Sequence, residues 1–353
     1  MKSARLPLGL LVSFAVALAA CGEGGGTRPS VAAPQDVIAF GAREAGGAGR
    51  YGLYLVRPDG SGLRKLVEEA GEVAFPLWSP PGDRIVYLVR ADLQTPATLK
   101  VYDFQNGLAS TVSQNALADI LGPTMSWSPD GRRLAFVDAT AGGRLSIYDV
   151  DKAQLLDLPD VPARTVDWSP SKDELALAGP AQGVQETDLY LVDDDGDNLR
   201  PLLERPGLES GPRWSPNGEL LAFWSAPPGR PDRRLLLVLP ADSEQPIELT
   251  PGFGAAWTAD SGRLAYSGPA SEAEPDDLDI FLLPAGGGDP QPLGQSITRD
   301  RWPTWSPAND QVAYHAQADL ETAFICIVQL EPENRDCLDL GSLLPGAPAW
   351  SPQ

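Results

Sequence analysis

The chain has 353 residues, with 48 acidic against 27 basic side chains, a formal charge of −21 and a single histidine. So acidic a surface repels phosphate backbones, which excludes nucleic acid as a partner. One imidazole also excludes a histidine-based metal centre, which needs two or three.

In chain order, Met1–Arg5 is a short basic start and residues 6–20 form an apolar run closed by Leu18-Ala19-Ala20-Cys21. A basic start, a short apolar run and small residues before the break together predict a signal peptide over residues 1–20. The arrangement resembles a bacterial lipobox, which implies that Cys21 becomes a lipidated N-terminus. Acyl chains contributing about 0.8 kcal/mol per buried methylene would then anchor the protein to a membrane. Residues 21–35, rich in Gly, Ala, Pro and polar side chains, predict a flexible tether. The remainder, 36–353, is expected to be one domain.

That domain is a repeat array. Trp-Ser-Pro recurs at Trp78, Trp127, Trp168, Trp214, Trp305 and Trp350, and Trp257-Thr258-Ala259 is a degenerate copy. The spacings of 49, 41, 46, 43, 48 and 45 residues match the period of four-stranded propeller blades. The fullest copy runs Met125-Ser126-Trp127-Ser128-Pro129-Asp130-Gly131, followed by the apolar stretch Leu134-Ala135-Phe136. Ser-Pro-Asp-Gly suits a type I turn, with Pro second and Gly last. A second β-rich stretch such as Leu145–Tyr148 follows, then a polar turn such as Pro58-Asp59-Gly60 and a weaker outer strand such as Lys65-Leu66-Val67. The grammar predicts four antiparallel strands per unit, with each repeat Trp packed between neighbouring sheets. The ends are complementary. Val37–Phe40 is a post-turn strand with no Trp-Ser-Pro before it, and Trp350-Ser351-Pro352 opens a unit that stops. Joined, they predict an all-β ring of seven closed blades with no free edge.

The Trp-Ser-Pro-Asp-Gly repeats resemble those of the WD-repeat-like propellers of the bacterial TolB type, over residues 36–353. The resemblance implies the propeller. It does not extend to the small α/β domain that precedes the TolB propeller, nor to that protein's envelope role.

Of the three cysteines, Cys326 falls in the third strand of the last unit and Cys337 in its fourth. Two cysteines facing across a hairpin in an oxidising compartment predict a disulfide. His315 has no Gly-x-Ser-x-Gly nucleophile to serve and is read as a strand residue at a blade surface. Asp193-Asp194-Asp195-Gly196-Asp197-Asn198 departs from a calcium loop, because Asn198 stands where the turn glycine is required. It is read as an ordinary outer turn, so no cofactor is expected. Residues just before each Trp should border a channel mouth. Those positions hold Arg164, Arg213, Phe253, Arg301 and Trp302, with Arg299 nearby, and Arg164, Arg213, Arg301 and Trp302 form a candidate ligand-binding site. The expected function is a lipid-anchored, non-enzymatic scaffold at the bacterial envelope, binding a protein, a peptide or another ligand. A propeller-type hydrolase or lactonase using channel carboxylates is the alternative.

Overall fold

Each Trp-Ser-Pro turn is followed by apolar runs that need cover on both faces, and the computed structural model is accordingly all-β. Among the described residues it contains 28 strands and one three-residue 3-10 turn. It describes residues 34–45, 50–92, 94–119, 122–156, 158–180, 187–271, 274–293 and 296–352. Cys21, the leader and most of the tether lie outside them.

The turn owes its shape to one hydroxyl. In Ser79-Pro80-Pro81-Gly82 the Gly82 N–H donates to the Ser79 carbonyl at 2.8 Å, and Gly82 takes a φ of 75°. Ser79 Oγ then accepts the Arg84 N–H at 3.0 Å, tying the turn to the strand it starts. Ser128, Ser215 and Ser306 repeat this bond with Arg133, Leu220 and Gln311. Thr258 makes it with Arg263 at 3.0 Å, so the degenerate copy keeps the turn because it keeps a hydroxyl. Ser261 and Asn309 stand where other copies have Gly and adopt its left-handed φ, 61° and 60°.

Hydrogen bonding sorts the strands into groups of four. The last strand, Leu343–Trp350, pairs antiparallel with the first, Ile38–Glu44, with Ile38 opposite Trp350 and Ala39 opposite Ala349. Tyr51–Val56 and Arg64–Glu69 complete that sheet. The strands between residues 72 and 116 join those between 125 and 155 through Ala116 opposite Asp138. Those between 165 and 203 join those between 208 and 251 through Thr187 opposite Leu208. Two further four-stranded sheets begin at Phe253 and Arg299.

Successive groups are locked by their tryptophans. Six of the seven repeat tryptophans are buried and Trp257 is half-buried. Each buried one removes about 150–250 Å² from water, worth up to about 4–6 kcal/mol. The Trp127 indole donates to Leu77 O at 3.3 Å, Trp257 to Arg213 O at 3.0 Å and Trp305 to Ala256 O at 3.0 Å. In each case the acceptor immediately precedes the Trp of the repeat before. Trp78 follows the same rule against the last repeat, donating to Ala349 O at 3.0 Å.

Cys326 and Cys337 are cross-strand partners joined by a disulfide, with Cα atoms 3.9 Å apart. The Asp193–Asn198 run forms the turn into Arg200–Leu203, with Gly196 N–H on Asp193 O and Asn198 Nδ2 on Asp193 Oδ2.

Candidate functional site

Along an undistorted strand, side chains alternate between faces. Four of the first strands interrupt that alternation at one place. Register shifts fall between Ala74 and Leu77, Ser210 and Arg213, Phe253 and Ala256, and Arg301 and Thr304. In all four the residue three before the Trp takes a left-handed φ: 49° at Phe75, 67° at Gly211, 67° at Gly254 and 54° at Trp302. The bulge adds a residue and re-aims the side chains around it. Gly enters this conformation freely, whereas another L-residue there costs about 1–2 kcal/mol.

The bulged strands surround a cavity of about 410 Å³ to which all seven first strands contribute, for instance through Phe75, Met125, Asp167, Arg213, Ala255, Trp302 and Ala347. Its wall is largely aromatic and apolar. Phe75 meets Trp302 edge to face at 5.4 Å, and Trp302 packs on His315 at 5.3 Å. Arg90 lies over the outer part of this pair, 5.8 Å from the Phe75 ring and bonded to Glu72 at 2.7 Å.

Among the described residues, the charged lining consists of Asp119, Asp167 and Arg213. Asp167 is buried and accepts three bonds: from Ser126 Oγ at 3.0 Å, the Trp214 N–H at 2.8 Å and Arg213 Nη1 at 3.4 Å. Burial pushes its carboxyl above the usual carboxylate range, against the pull of Arg213. The carboxylate thereby links three consecutive repeats.

Two of the four residues expected at the mouth, Arg213 and Trp302, line the cavity. Arg164 and Arg301 do not. Phe253 and Pro123, which share with Arg164 and Arg301 the position four before the Trp, do line it, so the column alone does not decide which side chain reaches the cavity. Arg164 is exposed and precedes its strand, which begins at Thr165. Arg301 acts on His315, whose position also corrects the expectation of a blade-surface residue: it is 5% exposed. Burial, reinforced by the Arg301 charge, pushes its imidazole down to about 4. Asp300 is fully buried and bonded to Thr298 Oγ1 at 2.6 Å and Ser296 Oγ at 3.1 Å. Burial pushes its carboxyl up to about 6.

Phe75 is not among the residues expected at the mouth. The column three before each Trp carries the signal, because it holds Phe75, Gly211, Gly254 and Trp302. Among the described residues no group of three or more His, Cys, Asp or Glu is placed to hold a metal ion.

Residues 82–353 match the family described as the TolB beta propeller domain. A protein named as a TolB homolog from Chlorobium luteolum is 32% identical over 122 residues, which is 34% of this chain and 28% of that protein's length. The crystal structure of TolB from Acinetobacter baumannii superposes with a TM-score of 0.55 at 16% identity, covering 91% of this chain and 68% of that one. An oligogalacturonate lyase from Vibrio parahaemolyticus gives a TM-score of 0.60 at 16% identity, covering 84% and 92%. At such identities the two structures share a fold with this chain, and nothing more follows from the likeness.

Proposed function

The chain belongs to the TolB β-propeller domain family, and from that premise we propose that it is a closed seven-bladed propeller acting as a binding module through its axial cavity. Seven groups of four strands, a last strand paired with the first and an indole bond from Trp78 to Ala349 support the closed ring. The observation that carries the binding reading is the choice of residue at the bulges. Gly211 and Gly254 demonstrate that glycine suffices there, so nothing in the backbone demands the rings of Phe75 and Trp302. Strained aromatic residues held by their surroundings cluster where proteins bind. Here two of them stand edge to face in a cavity of the size that takes a small ligand or a few side chains.

The leader and Cys21 favour lipid anchoring on the extracytoplasmic side of a bacterial membrane, with a protein or peptide partner at the envelope. The described chain enters at the Trp-Ser-Pro end, where Asp36 Oδ1 accepts the Trp350 indole at 3.2 Å. An anchor there leaves the bulged, aromatic end of the cavity facing away from the membrane.

The rival is a propeller enzyme of the hydrolase or lactonase kind, favoured by the carboxylates Asp119 and Asp167 in the cavity. Asp167 already serves Ser126, Trp214 and Arg213, which leaves it poorly placed as a free base. The binding reading is tested by the double variant Phe75→Gly with Trp302→Gly, which preserves the bulge and removes the rings. Affinity purification from solubilised native membranes should lose the partner recovered with the wild type, while the variant melts within a few degrees of it. A partner retained by the folded variant would overturn the cavity as the binding surface.

A further inference from the structure

The nine tryptophans include two, Trp224 and Trp302, that lie off the repeat grid. Trp302 stands in the cavity wall. Trp224 has a different companion: the guanidinium of Arg234, 5.5 Å from its ring. On the other side, Arg234 lies 5.0 Å from the ring of Phe253, which lines the cavity. The cation is thus held against two rings, one of which, Phe253, lines the cavity.

Among the described residues, no anion is paired with Arg234. It has no ion pair and no side-chain hydrogen bond among the described residues, and its Nε is buried without a partner. In a chain with 48 acidic and 27 basic side chains, a half-buried guanidinium left so is unexpected. Of the other half-buried arginines, Arg84, Arg133 and Arg213 are paired with Asp151, Asp194 and Asp167, and Arg263 donates to Asn309 O at 3.1 Å. Arg335, stacked on Tyr314, resembles Arg234 in leaving its Nε without a partner. Burial lowers the pKa of Arg234, against the charges of Asp119 and Asp232. A guanidinium fixed by stacking keeps its fork free, and that fork matches a carboxylate with two parallel bonds.

We propose that Arg234 is the anion-binding residue of the cavity, taking a ligand that carries one free carboxylate on an apolar or aromatic body. The carboxylate pairs with Arg234 between Trp224 and Phe253, and the body enters the cavity beside Phe75 and Trp302. A peptide's C-terminal residue and a small organic acid share this chemistry. The proposal rests on the reading of the cavity as a binding site and adds the chemical class of its ligand.

The test is a titration of the purified protein followed by tryptophan fluorescence and by ligand-observed NMR. The probes are N-acetyl-Ala-Ala-Phe, its C-terminal amide, 3-phenylpropionate and 3-phenylpropionamide. Each acid should bind the wild type at least tenfold more tightly than its amide. Arg234→Met, which keeps an apolar stem between the rings, should bring the acids to the level of the amides and leave the amides unchanged. Arg234→Lys, a folding control that keeps the charge but loses the fork, should retain part of the preference. Tighter binding by the tripeptide assigns a peptide terminus as the source, and equal or tighter binding by 3-phenylpropionate assigns a small acid. Equal binding of acid and amide to the wild type, or an undiminished preference in Arg234→Met, overturns this inference alone, provided that Phe75→Gly with Trp302→Gly still abolishes binding. Binding that ignores the double variant, or no binding by any probe, overturns the cavity reading as well.

Discussion

Removal of residues 343–353 is expected to leave a chain that does not fold to a stable monomer. That segment supplies the innermost strand for Ile38–Glu44. It also provides the Ala349 carbonyl that receives the Trp78 indole, and Trp350, whose N–H donates to Thr304 Oγ1 at 3.2 Å. Its loss uncovers one sheet edge and the facing sides of two neighbouring sheets. Burial of Trp350 alone accounts for up to about 4–6 kcal/mol, and domains as a rule hold only about 5–15 kcal/mol in all. Trp350→Ala is the milder form, expected to cost about 3–5 kcal/mol and to lower the melting temperature by many degrees without abolishing folding. Thermal unfolding followed by circular dichroism reads both. A truncated chain melting with the full-length protein would show that the terminal strand does not close the structure.

Asp300→Asn is expected to stabilise the protein at pH 8 by about 3 kcal/mol and to leave it unchanged near pH 4. The Asp300 carboxyl titrates at about 6 in the fold, against 3.8 as its ordinary value. A raised acid contributes stability that is complete below its unfolded value and is lost as the pH rises through its folded value. Above pH 6 the native state therefore carries the cost of a buried carboxylate, which the amide removes. Thr298 Oγ1 and Ser296 Oγ both bond this carboxyl and can rotate to accept from the amide. His315 works in the opposite direction. Its imidazole is held down at about 4, so its contribution is present above its ordinary 6.5 and is lost as the pH falls through about 4. In the wild type the two effects oppose each other between pH 4 and 6, and the Asp300 contribution emerges only from the difference between variant and wild type. Melting temperatures measured from pH 4 to 8 provide it. A difference independent of pH, or a variant less stable at pH 8, would contradict the assignment.

Repetition made the architecture readable from the sequence. Seven copies of one turn, each with a hydroxyl at a fixed offset from a Trp, specify where strands begin and which residues pack between sheets. The match at Ile38 and Trp350 was legible for the same reason, because two partial repeats add to one whole. The site was less legible, since its geometry depends on where the strands depart from regularity. Arg164 and Arg301 share a column with Phe253, yet only Phe253 of the three lines the cavity, so alignment on the Trp does not by itself pick out the lining. Nothing local marks Phe75 as left-handed. Only its alignment with Gly211 and Gly254 does so, and Gly in a strand is a sign of a bulge. Arg234 lies outside every aligned column, and its role arises from rings contributed by two repeats, Trp224 from one and Phe253 from the next. His315 looked like a surface residue because Val312-Ala313-Tyr314 suggested the end of a buried run, whereas its strand continues to Asp319 beneath Trp302.

The central claim is that partners are engaged at the aromatic end of the axial cavity and not at the end where the chain enters. Site-directed photocrosslinking in intact cells tests it most directly, with benzoyl-phenylalanine placed at exposed Arg299 on the aromatic end or at exposed Asp59 on the opposite end. The account predicts a discrete crosslinked product from position 299, lost when Phe75→Gly and Trp302→Gly are added, and none from position 59. A product from position 59 alone, or one from 299 that survives loss of both rings, would contradict it.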